Sequence, residues 1–307
     1  MAVPLAQIWN DAFPNHRTTP ERLEQRVFKS ADFDPSQCWI MRQGKTWVGW
    51  GFTSIWQRGA ATQETPQIEW LAVASAGWKT GSGELLLHKL IHSIDKDRLF
   101  QQIRYGPVPV VLKDDVLFLE GCSALAGQRG FRPGEIMTEL SVDRQQYRSP
   151  GKKPNASRLQ IRSWKPGDEV RLRDQFMAKE YNQNILQRHL ALKGNPDRIL
   201  LAFDKDRPVG ICFGLPDEEV CSSRHLGGWI WSLASSEAKR GYLFHCVVDI
   251  RFRGQGIGSA LTDACLERLF GMGCEEVWLW SHVGAWFRRF GFEPRDQFVT
   301  LLRQQEV

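Results

Sequence analysis

At 307 residues, 42% apolar and 24% charged, the chain has the composition of a globular protein with room for two domains of ordinary size. Its formal charge of +5 comes without a basic stripe, which excludes a nucleic-acid binder that tracks the backbone. No window reaches the roughly 18 apolar residues of a membrane span. Gln7, Asn10, Asp11 and the run Pro14-Asn15-His16-Arg17 interrupt any leader-like start, so a cytoplasmic protein that engages no membrane is expected. The cysteines at 38, 122, 212, 221, 246, 265 and 274 form no Cys-x-x-Cys pair. Buried reduced thiols, with no metal and no disulfide framework, are therefore expected.

In chain order, Gln43-Gly44-Lys45-Thr46-Trp47-Val48-Gly49 reads as a turn entering a strand, and Leu71-Ala72-Val73 as a second strand. Gly81 and Gly83 then make a turn possible before Leu85, Leu86, Leu87, Leu90, Ile91 and Ile94, which give a helix with a strong apolar face. Seven tryptophans crowd this half, at 9, 39, 47, 50, 56, 70 and 78. Packing of strands is the expected reason, an aromatic cleft for an acceptor the alternative. Residues 148–158 contain two prolines and no core-forming side chain, which marks a linker between a domain at 1–147 and another at 159–307.

The second half repeats the first. Asp204 to Gly210 matches Gln43 to Gly49 at an offset of 161, and Gly291-Phe292 matches Gly130-Phe131 at the same offset. Between these anchors, Cys246-Val247-Val248 through Gly258 matches Leu71-Ala72-Val73 through Gly83 at an offset of 175. Two divergent copies of one α/β domain are expected. They are chemically unequal, because Trp78, Lys79 and Thr80 stand where Arg253, Gly254 and Gln255 stand. The first copy is expected to be mainly structural.

The richest segment is Arg253-Gly254-Gln255-Gly256-Ile257-Gly258-Ser259, between the β-prone run Leu243 to Val248 and a helix with apolar positions Ile257, Leu261, Ala264, Cys265 and Leu269. The first N–H groups of a helix lack intrahelical partners and the macrodipole is positive there, so an anion is favoured. The glycines let a phosphate approach, and Arg253 can add a charge-assisted contact. The spacing fits neither a dinucleotide fingerprint, which needs glycine at Ser259, nor a Walker A loop, which needs Gly-Lys before the hydroxyl residue.

Arg253, Gly256 and Gly258, preceded by Val248 and Phe252, resemble the acyl-CoA motif of the GNAT superfamily of N-acetyltransferases, with Ile250 where proline is usual. Glu276 to Trp280 reads as the following strand, and Trp286-Phe287-Arg288-Arg289-Phe290-Gly291-Phe292 resembles the superfamily's Phe-Tyr-x-x-x-Gly-Phe signature. The tandem layout is similar to that of mycothiol-synthase-like proteins. The resemblance implies an α/β (α+β) chain of two GNAT-like domains, each a mixed, mostly antiparallel sheet flanked by helices, with the internal pair making a monomer sufficient.

It further implies acetyl-CoA as acyl donor, bound by Cys246, Val247, Val248, Arg253, Gly254, Gln255, Gly256, Ile257, Gly258, Ser259 and Phe287. A small-molecule amine or an exposed amino group would attack the thioester directly. Phe287 stands where the superfamily's acidic tyrosine is usual, so Ser281 and His282 are candidate acids, against a loop hydrogen bond as their structural alternative. His245 on the donor strand is the candidate base, with a buried, hydrogen-bonded histidine as its alternative. If Val248 faces the core by alternation, Cys246 shares its face and His245 and Val247 oppose it. Glu180, beside Tyr181 and Asn182, is a further candidate acceptor contact. An acyl-CoA-binding module without turnover is the competing function.

Overall fold

The structure, a computed structural model, describes residues 1–30, 33–58, 63–95, 102–104, 131–151, 159–176, 195–220 and 233–304. Glu180, Tyr181, Asn182, Cys122 and Cys221 lie outside the described residues. The chain divides into two compact units, one of Met1–Met137, Cys221–Ser235 and Asp296–Val307, the other of Thr138–Val220 and Ser236–Arg295.

The first unit contains α1 (Ala2–Ala12), β1 (Cys38–Gln43), β2 (Thr46–Arg58), β3 (Gln63–Val73), α2 (Ser82–Asp95) and the short β4 (Gln102–Arg104). β1, β2 and β3 form an antiparallel sheet in that order. The apolar run at the end of β3 is continuous because both faces are covered. Leu71 and Val73 point to a core with Leu86, Leu87, Leu90 and Ile91 of α2, while Trp70 and Ala72 point to a core with Leu5, Ile8 and Trp9 of α1. Gly49 lets α2 approach closely, since a methyl group there would lie 3.0 Å from Leu86 Cδ2. Trp9, Trp50 and Trp70 are buried against one another, with ring centroids of Trp9 6.1 Å from Trp50 and 5.4 Å from Trp70. These three tryptophans pack strands against a helix, as the strand-packing expectation requires.

The second unit contains the second half of β5 (Phe131–Asp143), then β6 (Leu159–Ser163), α3 (Asp168–Gln175), β7 (Ile199–Asp204), β8 (Arg207–Pro216), β9 (Arg240–Val248), α4 (Ile257–Gly271), β10 (Glu276–Ser281), the single turn α5 (Gly284–Phe287) and the start of β11 (Glu293–Gln304). Its strands lie in the order β11-β5-β10-β9-β8-β7-β6. β9 and β10 are parallel, whereas β5–β10, β6–β7, β7–β8 and β8–β9 are antiparallel, which gives the mixed, mostly antiparallel sheet of the expected fold class. The far end of β11, at Leu302–Gln304, pairs with β4 in the first unit.

α4 covers β8 and β9, burying Ile257, Leu261, Cys265, Leu266 and Leu269 against Val209, Cys212 and Leu243. Such side chains contribute about 1.5–3 kcal/mol each on burial. The helix lies close because β8 carries glycine beneath it: a methyl group on Gly210 would sit 2.6 Å from Leu261 Cδ1, and one on Gly214 2.5 Å from Cys265 Sγ.

β5 belongs to the first half of the sequence yet pairs with β10 from Thr138↔Ser281 to Asp143↔Glu276, placing Leu140 and Val142 in the second core. A fragment starting at residue 159 would therefore expose one edge of β10 and lose two core side chains. Such a fragment is expected to aggregate or melt without cooperativity in circular dichroism, and a fragment starting at residue 131 to regain a cooperative transition.

Candidate functional site: a strand cleft beneath a helix N-terminus

The parallel pairing of β9 with β10 lasts three positions, Arg240↔Glu276, Gly241↔Val277 and Tyr242↔Trp278. Both strands continue, β9 to Val248 and β10 to Ser281, with no further ladder pair between them among the described residues. Leu243–Val248 and Leu279–Ser281 are thus not joined by a strand ladder among the described residues. On its other edge β9 stays paired with β8 up to Val248↔Gly210.

A β-bulge interrupts that second pairing. Phe244 opposes Phe213 and Val247 opposes Ile211, so Cys212 alone stands opposite His245 and Cys246. His245 takes the left-handed conformation, φ 54°, which costs a non-glycine residue of order 1 kcal/mol. An extra residue of this kind bends its strand and increases the local twist.

Beyond the bulge, Cys246 and Val248 pack on the α4 core, as alternation from Val248 requires. Cys246 Sγ lies 3.5 Å from Thr262 Oγ1. Burial beside Cys246 and Cys265 pushes the Cys212 thiol well above its ordinary value. His245 leaves that face and sets its ring edge-on to Phe213, centroids 5.6 Å apart. Burial lowers its pKa to about 4, so the imidazole is neutral at pH 7 and titrates far below the neutral range.

The turn after β9 leads to α4. Gly254 and Gly256 have φ of 80° and 84°, conformations that glycine adopts without strain. Among the described residues a side-chain carbon at Gly254 would meet nothing within 4 Å. Arg253 is exposed and its Nε donates to the Val248 carbonyl at 3.2 Å. Among the described residues no side chain caps α4, and its first turn holds no acidic residue, so Ile257, Gly258 and Ser259 begin the helix at the positive end of its dipole. These parts suit a pyrophosphate.

β10 ends at Ser281, which is buried, and its Oγ accepts the Val283 N–H at 3.0 Å; that bond leaves the serine's own proton available. His282 is exposed. Phe287 is buried in the core, edge-on to Trp286 (4.7 Å) and to Phe292 (5.7 Å). The neighbouring Trp286 lies on the site side: its Cζ2 is 3.8 Å from where a Cβ on Gly258 would be, and the Arg289 guanidinium covers its ring at 4.8 Å. Trp286 was not singled out by the sequence, although it is the first aromatic of the Phe-Tyr pair.

The corresponding turn of the first unit keeps one left-handed glycine but differs in backbone and surface, since Lys79, at the position of Gly254, ends a short helix. Gly81 has φ 75°, but a methyl group on Gly83 would lie 2.5 Å from Trp78 Cε3. The indole fills the space over the first turn of α2, and Glu84 supplies a negative charge there.

Residues 160–292 match the model of the acetyltransferase (GNAT) family. No curated protein matches the sequence. Among solved structures the chain is similar to the GCN5-related glucosamine N-acetyltransferase region of a fungal multi-domain beta-N-acetylglucosaminidase, with TM-score 0.74, 17% identity, and coverage of 97% of this chain and 36% of that one. It is also similar to a GCN5-related N-acetyltransferase from Sphaerobacter thermophilus (TM-score 0.68, 17% identity, 99% and 92% coverage). A tandem GNAT protein from the clavulanic acid biosynthesis pathway gives TM-score 0.64 and 14% identity, with 99% and 94% coverage. At these identities the likeness is one of fold. No helix among the described residues is long and apolar enough to cross a membrane.

Because the unfolded chain binds a proton at His245 near pH 6.5 and the native chain only near 4, acidification through that window favours unfolding. His245→Asn, which tolerates the left-handed backbone, is expected to flatten the decline of the urea midpoint between pH 6.5 and 4 relative to wild type.

Proposed function

We propose that the chain is an acyl-CoA-dependent N-acyltransferase that moves an acetyl group from acetyl-CoA to an amine, with the donor bound in the second unit. The observation that carries this reading is the early end of the β9–β10 ladder directly before a glycine turn and an uncapped helix N-terminus. The loop N–H groups of residues 254–259, with Arg253, would hold the pyrophosphate. The thioester arm would then enter the strand cleft, where main-chain groups at Cys246–Val248 polarise the carbonyl, as the resemblance implies.

The amine nitrogen bonds to the carbonyl carbon, the C–S bond breaks, the sulfur leaves as CoA thiolate, and the nitrogen loses a proton. Positioning and main-chain polarisation supply most of such catalysis. The equipment for proton transfer is modest. His245 would be unprotonated and able to accept, but weakly basic with a pKa of about 4. Ser281 or His282 would supply a proton to the thiolate, directly or through water, in place of the apolar Phe287. The Trp78 indole over α2 supports a single donor site per chain.

A second reading, an acyl-CoA-binding regulatory or interaction module without turnover, is favoured by Phe287 lying in the core and by the weak base. Release of CoA thiol with a panel of small amines separates the two: steady release excludes the module, and tight binding without release across the panel favours it.

Two measurements test the donor site. Titration calorimetry with acetyl-CoA is expected to give one site per chain; two sites would show that the first unit also binds donor. Gly258→Glu has room for its Cβ, 3.5 Å from Val248 Cγ2, and gains up to about 1 kcal/mol of helix propensity. With an acidic group set at the positive helix end, it is expected to keep the melting temperature while weakening acetyl-CoA binding by more than about tenfold, or ~1.4 kcal/mol.

A further inference from the structure

Building on the acyl-CoA reading of this site, we propose that Asp249 is the positioning residue of the donor loop, its carboxylate holding the turn in the shape that receives the donor's phosphates. Asp249 lies at the end of β9, where a polar residue is usually solvated, yet it is fully buried. Its Oδ1 accepts the backbone N–H and the Nε of Arg251, each at 3.0 Å, and its Oδ2 accepts Arg251 Nη2 at 2.5 Å. Arg207 at the start of β8 adds a second guanidinium, with Nη2 3.9 Å from Oδ2.

The main chain of Asp249 is fixed as firmly. Its N–H donates to the Val209 carbonyl at 2.9 Å and its own carbonyl accepts the Phe252 N–H at 2.8 Å. Arg251 Nη2 also donates to the Gln175 carbonyl at 2.8 Å, and Arg207 Nη2 to the same oxygen at 3.4 Å. The Arg207 guanidinium lies 5.4 Å from the Phe252 ring. One carboxylate therefore ties the first residues of the loop to the start of β8 and the end of α3. A buried charge met by two arginines is costly to break from one side, since removing either partner leaves the other desolvated and uncompensated. The clamp also offsets the negative charge that would otherwise sit four residues from the proposed phosphate cradle.

Asp249→Asn keeps an oxygen for the Arg251 N–H and removes the charge. Arg251→Gln removes the guanidinium and leaves Arg207 beside the carboxylate, so it serves where the first variant fails to fold. Each is expected to raise the Kd and KM for acetyl-CoA about tenfold, the loss of a charge-assisted contact, with kcat within about twofold. The double variant is expected to be no worse than either single one, because both cut the same clamp. Unchanged or tighter donor binding in both variants, or a fall in kcat and melting temperature with KM unaltered, overturns the proposal while leaving the acyl-CoA reading intact. A wild-type protein that binds no acetyl-CoA in calorimetry overturns the reading and the proposal with it.

Discussion

Everything in the second unit is arranged around the separation of two parallel strands. β9 and β10 share three ladder positions and then part, although both run on. Continued pairing would be the default for two adjacent strands, since each unmet backbone group in a compact interior costs free energy comparable to a lost hydrogen bond. The gap persists because each strand is secured on its other edge, β9 by β8 and β10 by β5. The strain at His245 is held by its Phe213 contact and by the stacked Phe213–Phe244 pair, whose centroids are 5.3 Å apart.

The helix above the cleft completes it. Gly210 and Gly214 bring α4 down onto β8, which fixes where its N-terminus lies relative to the end of β9. A bulkier residue at either position would lift the helix, and overpacking of this kind costs about 1–3 kcal/mol. The same two glycines thus serve stability and the aim of the first helical N–H groups.

Much of this was legible in the sequence, and the rest was hidden for identifiable reasons. The glycine turn, the helix phase from Ile257 to Leu269 and the internal repeat depend on local spacing, which a chain displays directly. The bulge at His245 was not visible, because a two-residue alternation read outward from Val248 is indifferent to one residue inserted upstream. Nothing local in Phe131–Asp143 says that its second half pairs with β10, since strand pairing is decided by edges that only the fold creates. Nothing local marks Asp249 as buried, since one of the two arginines that meet it, Arg207, lies 42 positions earlier in the chain. Phe287 and Trp286 differ by one helical step, about 100°: Phe287 is buried, while Trp286, partly buried against the same core, also reaches toward Gly258.

The two turns aligned by the sequence repeat keep one backbone feature in common and differ in charge and surface. Gly81 and Gly256 share the left-handed conformation, and each precedes a helix with glycine at its second position. In the first unit the positive end of the helix is answered from within, by Glu84 in the first turn and by an indole packed over Gly83. In the second unit neither device is present: the first turn holds no acid, and the register position of Trp78 is occupied by an arginine. A helix that compensates its own dipole has little to gain from an anion, whereas one left uncompensated beside an open strand edge gains most from a ligand that is both a phosphate and a hydrogen-bonding chain.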